Sequence, residues 1–252
     1  MAEEIYRIQF RPTASDVDLF RQVRLSSLLQ IMQNMATDHA NLLGFGGEFM
    51  QEHYGAFWLM ARTSLSFSQS VSALDELEIH SNHRGAGKGV TIFRDFDFYT
   101  KDKHIGNATT SWVIVHTESK KILKPTLFPE LLDSPKPQVL KTHIPEKISL
   151  PSQLTHKMSR PCFYSDTDIN KHMNNTKYAD IALDALGFQD FSQSVIQSVD
   201  INYLSECFPG QVLQLSTGKQ SQENHDTYFV LGKHENEEPC FSFRVTLKPA
   251  EQ

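Results

Sequence analysis

The chain is poor in cysteine: its 252 residues hold three (Cys162, Cys207 and Cys240), an odd number, scattered and without a CxxC pair. That usage excludes a disulfide-stapled secreted fold and predicts a reduced, cytoplasmic protein. Long apolar runs are absent as well. The densest, around Tyr54 to Ala61, is far too short to span a bilayer, so no membrane span is expected. The opening Met1–Phe10 segment, MAEEIYRIQF, has early acidic residues and no apolar h-region, so neither a secretory signal nor a transit peptide is expected. Positive charge is also scarce. Lys and Arg number 24 against 30 Asp and Glu, a net −6 with no long basic block, which excludes nucleic-acid binding by phosphate contacts.

Two apparent motifs lack the parts they would need. Gly85-Ala86-Gly87-Lys88-Gly89 has neither the glycine nor the Ser/Thr position of a phosphate loop, and a glycine-bearing hairpin or bulge is the expectation. His80 and His83 have no cysteine or carboxylate at zinc-site spacing, so they are read as a solvated strand end. No metal and no organic cofactor is expected.

What the chain does contain is a copy of itself. Ser15-Asp16-Val17-Asp18-Leu19-Phe20-Arg21-Gln22-Val23 is matched 150 positions later by Ser165-Asp166-Thr167-Asp168-Ile169-Asn170-Lys171-His172-Met173. A strand-like segment precedes each copy, carrying Pro12 or Pro161. A helix follows each. In the first, Leu25, Leu28, Leu29, Met32, Met35, Ala36, Leu42 and Leu43 recur at helical spacing before Gly44. In the second, Tyr178, Ile181, Ala182, Ala185 and Leu186 do so before Gly187, with Asn174 or Asn175 suited to the N-cap.

Strands follow each helix. Leu65–Ile79 parallels Ile201–Leu215 at an offset of 136, consistent with a shorter second helix and loop. Thr91–Phe98 and Thr110–Val115 have counterparts in Asp226–Leu231 and Phe241–Leu247, and Leu123-Lys124-Pro125 is set against Leu247-Lys248-Pro249 as a shared closing segment. The predicted class is α+β: two tandem repeats, each a helix against a curved antiparallel sheet. The expected boundaries are 1–132 for the first repeat, 133–151 for a proline-bearing linker, and 152–252 for the second.

Duplication makes the chain its own control. Phe20 and Gln22 stand where the second copy has Asn170 and His172, and at the 136 offset Ser70 stands opposite Glu206. Asp16, Asp18 and Asp166 are expected mainly to shape the loops through Asx turns. Asp168-x-Asn170-x-His172 alone fits a helix-capping loop as well as a site. Glu206 shifts the balance, because it is read as lying on an otherwise apolar strand where a carboxylate needs a partner such as His172. Such a set supports acyl transfer to water. Asp168 activates water or attacks, His172 shuttles a proton, Glu206 orients the imidazole, and Asn170 holds the carbonyl or the water.

Asp168-Ile169-Asn170-Lys171-His172-Met173-Asn174-Asn175-Thr176-Lys177-Tyr178, with Glu206-Cys207, resembles the signature of the acyl-acyl-carrier-protein (acyl-ACP) thioesterases. The similarity extends to Trp58–Arg62 and Ser111–Pro125 and covers nearly the whole chain. The resemblance implies a double hot-dog fold, in which each repeat wraps a long helix in its sheet, with an acyl tunnel mainly in a catalytically degenerate first half. It implies that Asp168, Asn170, His172 and Glu206 are catalytic, with Cys207 as the alternative nucleophile. The function it implies is release of free fatty acid from acyl-ACP, ending elongation, by a bacterial, cytoplasmic homodimer.

An acidic carrier protein would need a local basic patch, to which Arg21, Arg24, Lys171 and Lys177 are candidate contributors. Leu28, Met32 and Met35 could line the tunnel, although core packing suits most of them better. The rival readings are an acyl-CoA thioesterase or a hydratase on the same fold, and a non-catalytic fatty-acyl-binding protein.

Overall fold

The computed structural model describes residues 4–73, 75–86, 89–134 and 143–250. Within them the chain forms two compact units: the second takes Thr13–Leu28, Ser66–Ala73 and what is described from Glu146 onward, and the first takes the remainder.

The elements running through the first half are β1 (Ile5–Phe10), α1 (Leu25–Leu42), α2 (Gly47–Tyr54), β2 (Ala56–Phe67), β3 (Leu77–Ala86), β4 (Ile92–Thr100), β5 (Lys103–His116), the two-residue β6 (Ile122–Leu123) and α3 (Pro129–Asp133). Its strands run in the order β1-β3-β4-β5-β2, with β6 on β5. The second half has β7 (Thr155–Pro161), α4 (Lys177–Leu186), β8 (Ser194–Tyr203), β9 (Val212–Gln222), β10 (His225–Lys233) and β11 (Pro239–Pro249). Its strand order is β7-β9-β10-β11-β8. Substituting β1, β3, β4, β5 and β2 for β7, β9, β10, β11 and β8 makes the two orders the same. Each half has the strand order of the expected α+β hot-dog, and the duplication read from a nine-residue loop extends through its five main strands.

The helices form where the apolar spacing predicts them. α1 buries Leu25, Leu28, Leu29, Met32, Met35 and Ala36, an i, i+3, i+4, i+7 stripe that also carries His39 inward. His39 Nδ1 accepts from Arg94 on β4 at 2.9 Å, and Tyr6 of β1 stacks on the imidazole with centroids 5.7 Å apart. Leu28, Met32 and Met35 are all buried, as core packing requires. The shorter α4 rests on β9, β10 and β11 and buries Tyr178, Ala179, Ile181, Ala182, Ala185 and Leu186. Burying a side chain such as Ile181 contributes about 1.5–3 kcal/mol, so Ile181→Asp would undock this helix. Both helices stop at the expected glycines: Gly44 and Gly187 have φ of 82° and 90°, values an L side chain adopts only under strain.

Two local expectations need correction. His80 and His83 are not a solvated strand end: both lie within β3, where His83 is 2% exposed and its ring sits 5.1 Å from that of Phe45. The register of β3 against β4 slips between His83 and Gly85, a bulge that fits the glycine-bearing turn, although Gly87 and Lys88 lie outside the described residues. The two Leu-Lys-Pro segments are not equivalent. Leu247 pairs within β11, the counterpart of β5, whereas Leu123 is on β6, past the end of β5.

Of the expected linker 133–151, residues 135–142 lie outside the described residues. Its last part is docked on β8: Ile148 N–H donates to Asn202 Oδ1 at 2.8 Å, and Asn202 Nδ2 donates to Glu146 O at 3.1 Å.

Candidate active site

The second copy of the repeated loop is shaped by its aspartates. After β7 the chain enters a 3-10 turn, Tyr164–Asp166. Asp166 Oδ2 accepts the Phe163 N–H at 2.8 Å, and both of its oxygens receive the Arg160 guanidinium, Nη2 to Oδ1 at 2.9 Å. Burial alone would raise the Asp166 carboxyl. The Arg160 hydrogen bonds and charge, with the Phe163 N–H, outweigh it and hold the group below its ordinary value.

Beyond Asp166 the chain doubles back, with Thr167 bridging to Met173. Asp168 N–H donates to His172 O at 3.2 Å, and Lys171 N–H donates to Asp168 O at 3.0 Å. The Asp168 carboxylate closes the turn from inside: Oδ1 accepts the Asn170 N–H at 2.8 Å and Oδ2 accepts Asn174 Nδ2 at 3.1 Å. Each of its oxygens keeps a further lone pair for another donor. Asn174 Oδ1 in turn accepts from Thr176 N at 2.9 Å. The N-cap proper is Thr176, and Asn174, expected as the cap, tethers the entry turn instead.

His172 is half-buried. Its Nδ1 lies 3.1 Å from Met173 O. A carbonyl can only accept, so Nδ1 carries the hydrogen and Nε2 of the neutral ring presents a lone pair. That Nε2 faces Glu206 Oε1 at 3.7 Å. The Phe208 ring stands edge-on to the imidazole, with centroids 6.4 Å apart. Asn170 is exposed, and its amide makes no side-chain hydrogen bond among the described residues.

Glu206 is not on a strand. β8 ends at Tyr203, and the carboxylate sits on the following loop with 49% of its side chain exposed. The reason is that the N–H groups of Leu204 and Ser205 both turn to Cys240 O, at 2.9 and 3.1 Å, which ends the ladder. The burial cost once ascribed to Glu206 therefore does not apply. Its pairing with His172 is a matter of position: Met173 N–H donates to Cys207 O at 2.8 Å and so joins the residue after His172 to the residue after Glu206. A cavity of about 460 Å3 opens beside it, lined by Ser205, Glu206, Phe208, Gln211, His234 and Asn236 among others.

Cys207 is fully buried. Its hydrogen bond with the Cys240 thiol and its burial push the Cys207 thiol far up, away from thiolate formation. Cys162 Sγ reaches Cys207 O at 3.9 Å, so three cysteines scattered in sequence converge behind the loop. None is in a disulfide.

The first copy repeats the backbone part of this framework. Asp16 Oδ2 accepts Thr13 N–H at 2.8 Å, and Asp18 Oδ1 accepts Phe20 N–H at 2.8 Å and Gln22 N–H at 2.9 Å. Val23 N–H donates to Val71 O at 2.9 Å, as Met173 does to Cys207 O, and Arg24 N–H to Asp16 O at 2.7 Å, as Asn174 does to Asp166 O. Asp16, Asp18 and Asp166 shape loops, as expected. The equivalence of Val71 with Cys207 also sets Ser70 opposite Glu206. The framework is common to both copies, and Asn170, His172 and Glu206 distinguish the second.

Of the basic candidates, Arg24 Nε is engaged by Val17 O at 2.9 Å and Lys177 pairs with Asp180 at 3.7 Å. Arg21 and Lys171 are exposed, with no side-chain partner among the described residues. Those residues contain no cluster of three or more metal-ligating side chains, and no helix among them is long and apolar enough to cross a membrane. Sequence reasoning missed Ser205 and His234, which flank the Glu206 loop. Nothing in their local sequence marks them.

Comparison with known proteins gives a consistent result. Residues 3–131 match the family model of the acyl-ACP thioesterase N-terminal domain, and residues 152–242 that of the C-terminal domain. An oleoyl-acyl carrier protein thioesterase of Coriandrum sativum is 20% identical over 90% of the chain and 66% of its own length. A dodecanoyl-[acyl-carrier-protein] hydrolase of Cinnamomum camphora is 23% identical over 84% of the chain and 59% of its own length. The chain thus spans less than two thirds of these curated relatives. The crystal structure of an acyl-ACP thioesterase from Bacteroides thetaiotaomicron superposes with TM-score 0.87 at 22% identity, over 97% of this chain and 98% of that one. A 12:0-ACP thioesterase from Umbellularia californica gives TM-score 0.85 at 19% identity, over 99% of both. At such identities the superpositions show a shared fold.

Proposed function

The chain belongs to the acyl-ACP thioesterase family, and from that premise we propose that it hydrolyses acyl-ACP, releasing free fatty acid and ending elongation. One observation carries the assignment of the chemistry to the second repeat: His172 Nε2 faces Glu206 Oε1 at 3.7 Å, on a framework where the first repeat has Gln22 and Ser70.

The tautomer of His172 suggests the mechanism. A lone pair at Nε2 and a carboxylate oxygen are both acceptors, so a water between them donates one hydrogen to each and turns its own lone pairs outward. That water attacks the thioester carbonyl carbon while a proton passes to the His172–Glu206 pair. The exposed Asn170 amide donates to the carbonyl oxygen as charge gathers there. The C–S bond then breaks, and the departing thiolate takes up the proton. Asp168 keeps the loop closed and polarises the water through its free lone pairs. Cys207 has no part in this scheme, because its thiol is buried and held neutral.

The acidic carrier is assigned to Arg21 and Lys171, the two of the four basic candidates that are exposed with no side-chain partner among the described residues. Three free cysteines suit a reducing compartment, which supports a bacterial cytoplasmic setting. The acyl tunnel in the first half and the homodimer belong to the same proposal, with chain-length preference and solution mass as their readouts.

The test measures thiol and free acid released from acyl-ACP and acyl-CoA panels by the native protein, His172→Ala and Glu206→Gln. Hydrolysis of acyl-ACP that falls about 10²–10⁴-fold in both folded variants supports the proposal. Preference for acyl-CoA overturns the carrier assignment. Acyl binding without thiol release overturns the enzyme reading in favour of an acyl-binding protein.

A further inference from the structure

Glu206 reaches His172 from a loop, and about half its side chain is in water, so something other than burial must hold it in place. On its C-terminal side the Cys207 carbonyl is held by Met173 N–H at 2.8 Å. On its N-terminal side every polar group of Ser205 is engaged by the β10–β11 hairpin. Ser205 N–H donates to Cys240 O at 3.1 Å, and the Ser205 carbonyl accepts from Cys240 Sγ at 3.2 Å. Ser205 Oγ donates to Pro239 O at 3.1 Å and lies 2.9 Å from His234 Nε2.

The hydrogen positions follow by elimination. Pro239 O can only accept, so the single Ser205 hydroxyl hydrogen goes to it. The 2.9 Å contact with His234 must then be an Nε2–H donating to Ser205 Oγ. His234 therefore carries its hydrogen on Nε2, and its buried Nδ1, which has no partner among the described residues, bears the lone pair. The ring is itself set by its backbone: His234 N–H donates to Glu238 O at 2.9 Å and Glu237 N–H to His234 O at 3.0 Å. His234, Ser205 and Glu206 line the same cavity.

We infer that the His234–Ser205 pair is a positioning device for Glu206: the hairpin imidazole and the serine hydroxyl clamp the residue before Glu206 so that its carboxylate meets His172. The inference rests on the proposed function of that site. Neither residue takes a proton from the substrate. Their effect is exerted through where Glu206 stands, and a gap of 3.7 Å is sensitive to small shifts.

The experiment uses the full chain with acyl-ACP as substrate and a double-mutant cycle. Ser205→Ala is expected to lower kcat about 10-fold with KM unchanged, while Ser205→Thr, which keeps the hydroxyl, restores most of it. His234→Phe, which removes the donor from outside the loop, should reproduce the loss. In a Glu206→Gln background Ser205→Ala should cost nothing further, since there is no carboxylate left to position. A merely structural role would lower activity by the same factor in both backgrounds, and that additivity overturns the inference, as does native kcat in Ser205→Ala and His234→Phe. If Glu206→Gln itself has native kcat, the reading of the site fails and the inference falls with it. If Glu206→Gln is impaired while Ser205→Ala is not, the inference alone fails.

Discussion

Arg21 and Lys171, 150 positions apart, adopt the same left-handed backbone, with φ of 63° and 66°. Each sits where its loop doubles back, and each donates its N–H to the carbonyl of the aspartate three residues before it, at 3.1 and 3.0 Å. Neither is glycine, so both loops bear the strain of a side chain in that region, about 1 kcal/mol each. Arg21→Gly and Lys171→Gly should each raise the denaturant midpoint slightly, and Lys171→Val should lower it. A lower midpoint in both glycine variants would mean the cationic side chains contribute more than the strain costs.

The first repeat supplies an internal control. Gln22 occupies the position of His172, and its Nε2 donates to Ser194 O at 3.2 Å. Gln22→Ala should cost about 1 kcal/mol of stability while kcat for acyl-ACP hydrolysis stays native. A loss of kcat as large as that of His172→Ala would show that the first loop takes part in the reaction, against the assignment of chemistry to the second repeat.

Much of this architecture can be read in the chain before any coordinate. Asp16 and Asp18 recur as Asp166 and Asp168 because the turn needs carboxylates at both places, and Gly44 and Gly187 stop the helices because a positive φ is required there. Other features escape because they depend on contacts distant in sequence. Leu204–Cys207 reads as a continuation of β8, and only the capture of two N–H groups by Cys240 O ends the strand before Glu206. His83 resembles a surface residue until the alternation of β3 turns it inward with Leu77, Ile79 and Ser81. His234 is one of eleven histidines, and a hairpin fold alone brings it to Ser205. The two Leu-Lys-Pro segments mislead in the opposite sense, as a short match without a shared position in the sheet.

The thiol alternative can be separated from the carboxylate scheme by one substitution. Cys207 is fully buried and its thiol is pushed up by the Cys240 hydrogen bond and by burial. Cys207→Ala should leave kcat near native, with a modest loss of stability from the small void it creates. Iodoacetamide should inactivate the native protein no faster than it unfolds. Removing a true nucleophile costs about 10⁴-fold or more in kcat, and a loss of that size in folded Cys207→Ala would reinstate the cysteine.

Asp166 gives a stability prediction with a definite sign in pH. Its carboxyl is 5% exposed and receives both ends of the Arg160 guanidinium. Burial opposes ionisation, but the Arg160 hydrogen bonds and charge and the Phe163 N–H win and hold the folded group below its ordinary value. A group whose folded pKa is depressed contributes stability that is complete above its unfolded pKa, about 3.9 for aspartate, and that is lost as pH falls through the folded value. Asp166→Asn should therefore destabilise by about 3 kcal/mol at neutral pH, because it leaves Arg160 without its counter-charge. The difference from native should hold steady down to about pH 5 and narrow below it. Denaturant unfolding of both proteins between neutral pH and pH 3 reads this directly. A difference that does not narrow in acid would mean that shape and hydrogen bonding at Asp166, and not its charge, hold the loop on which His172 is carried.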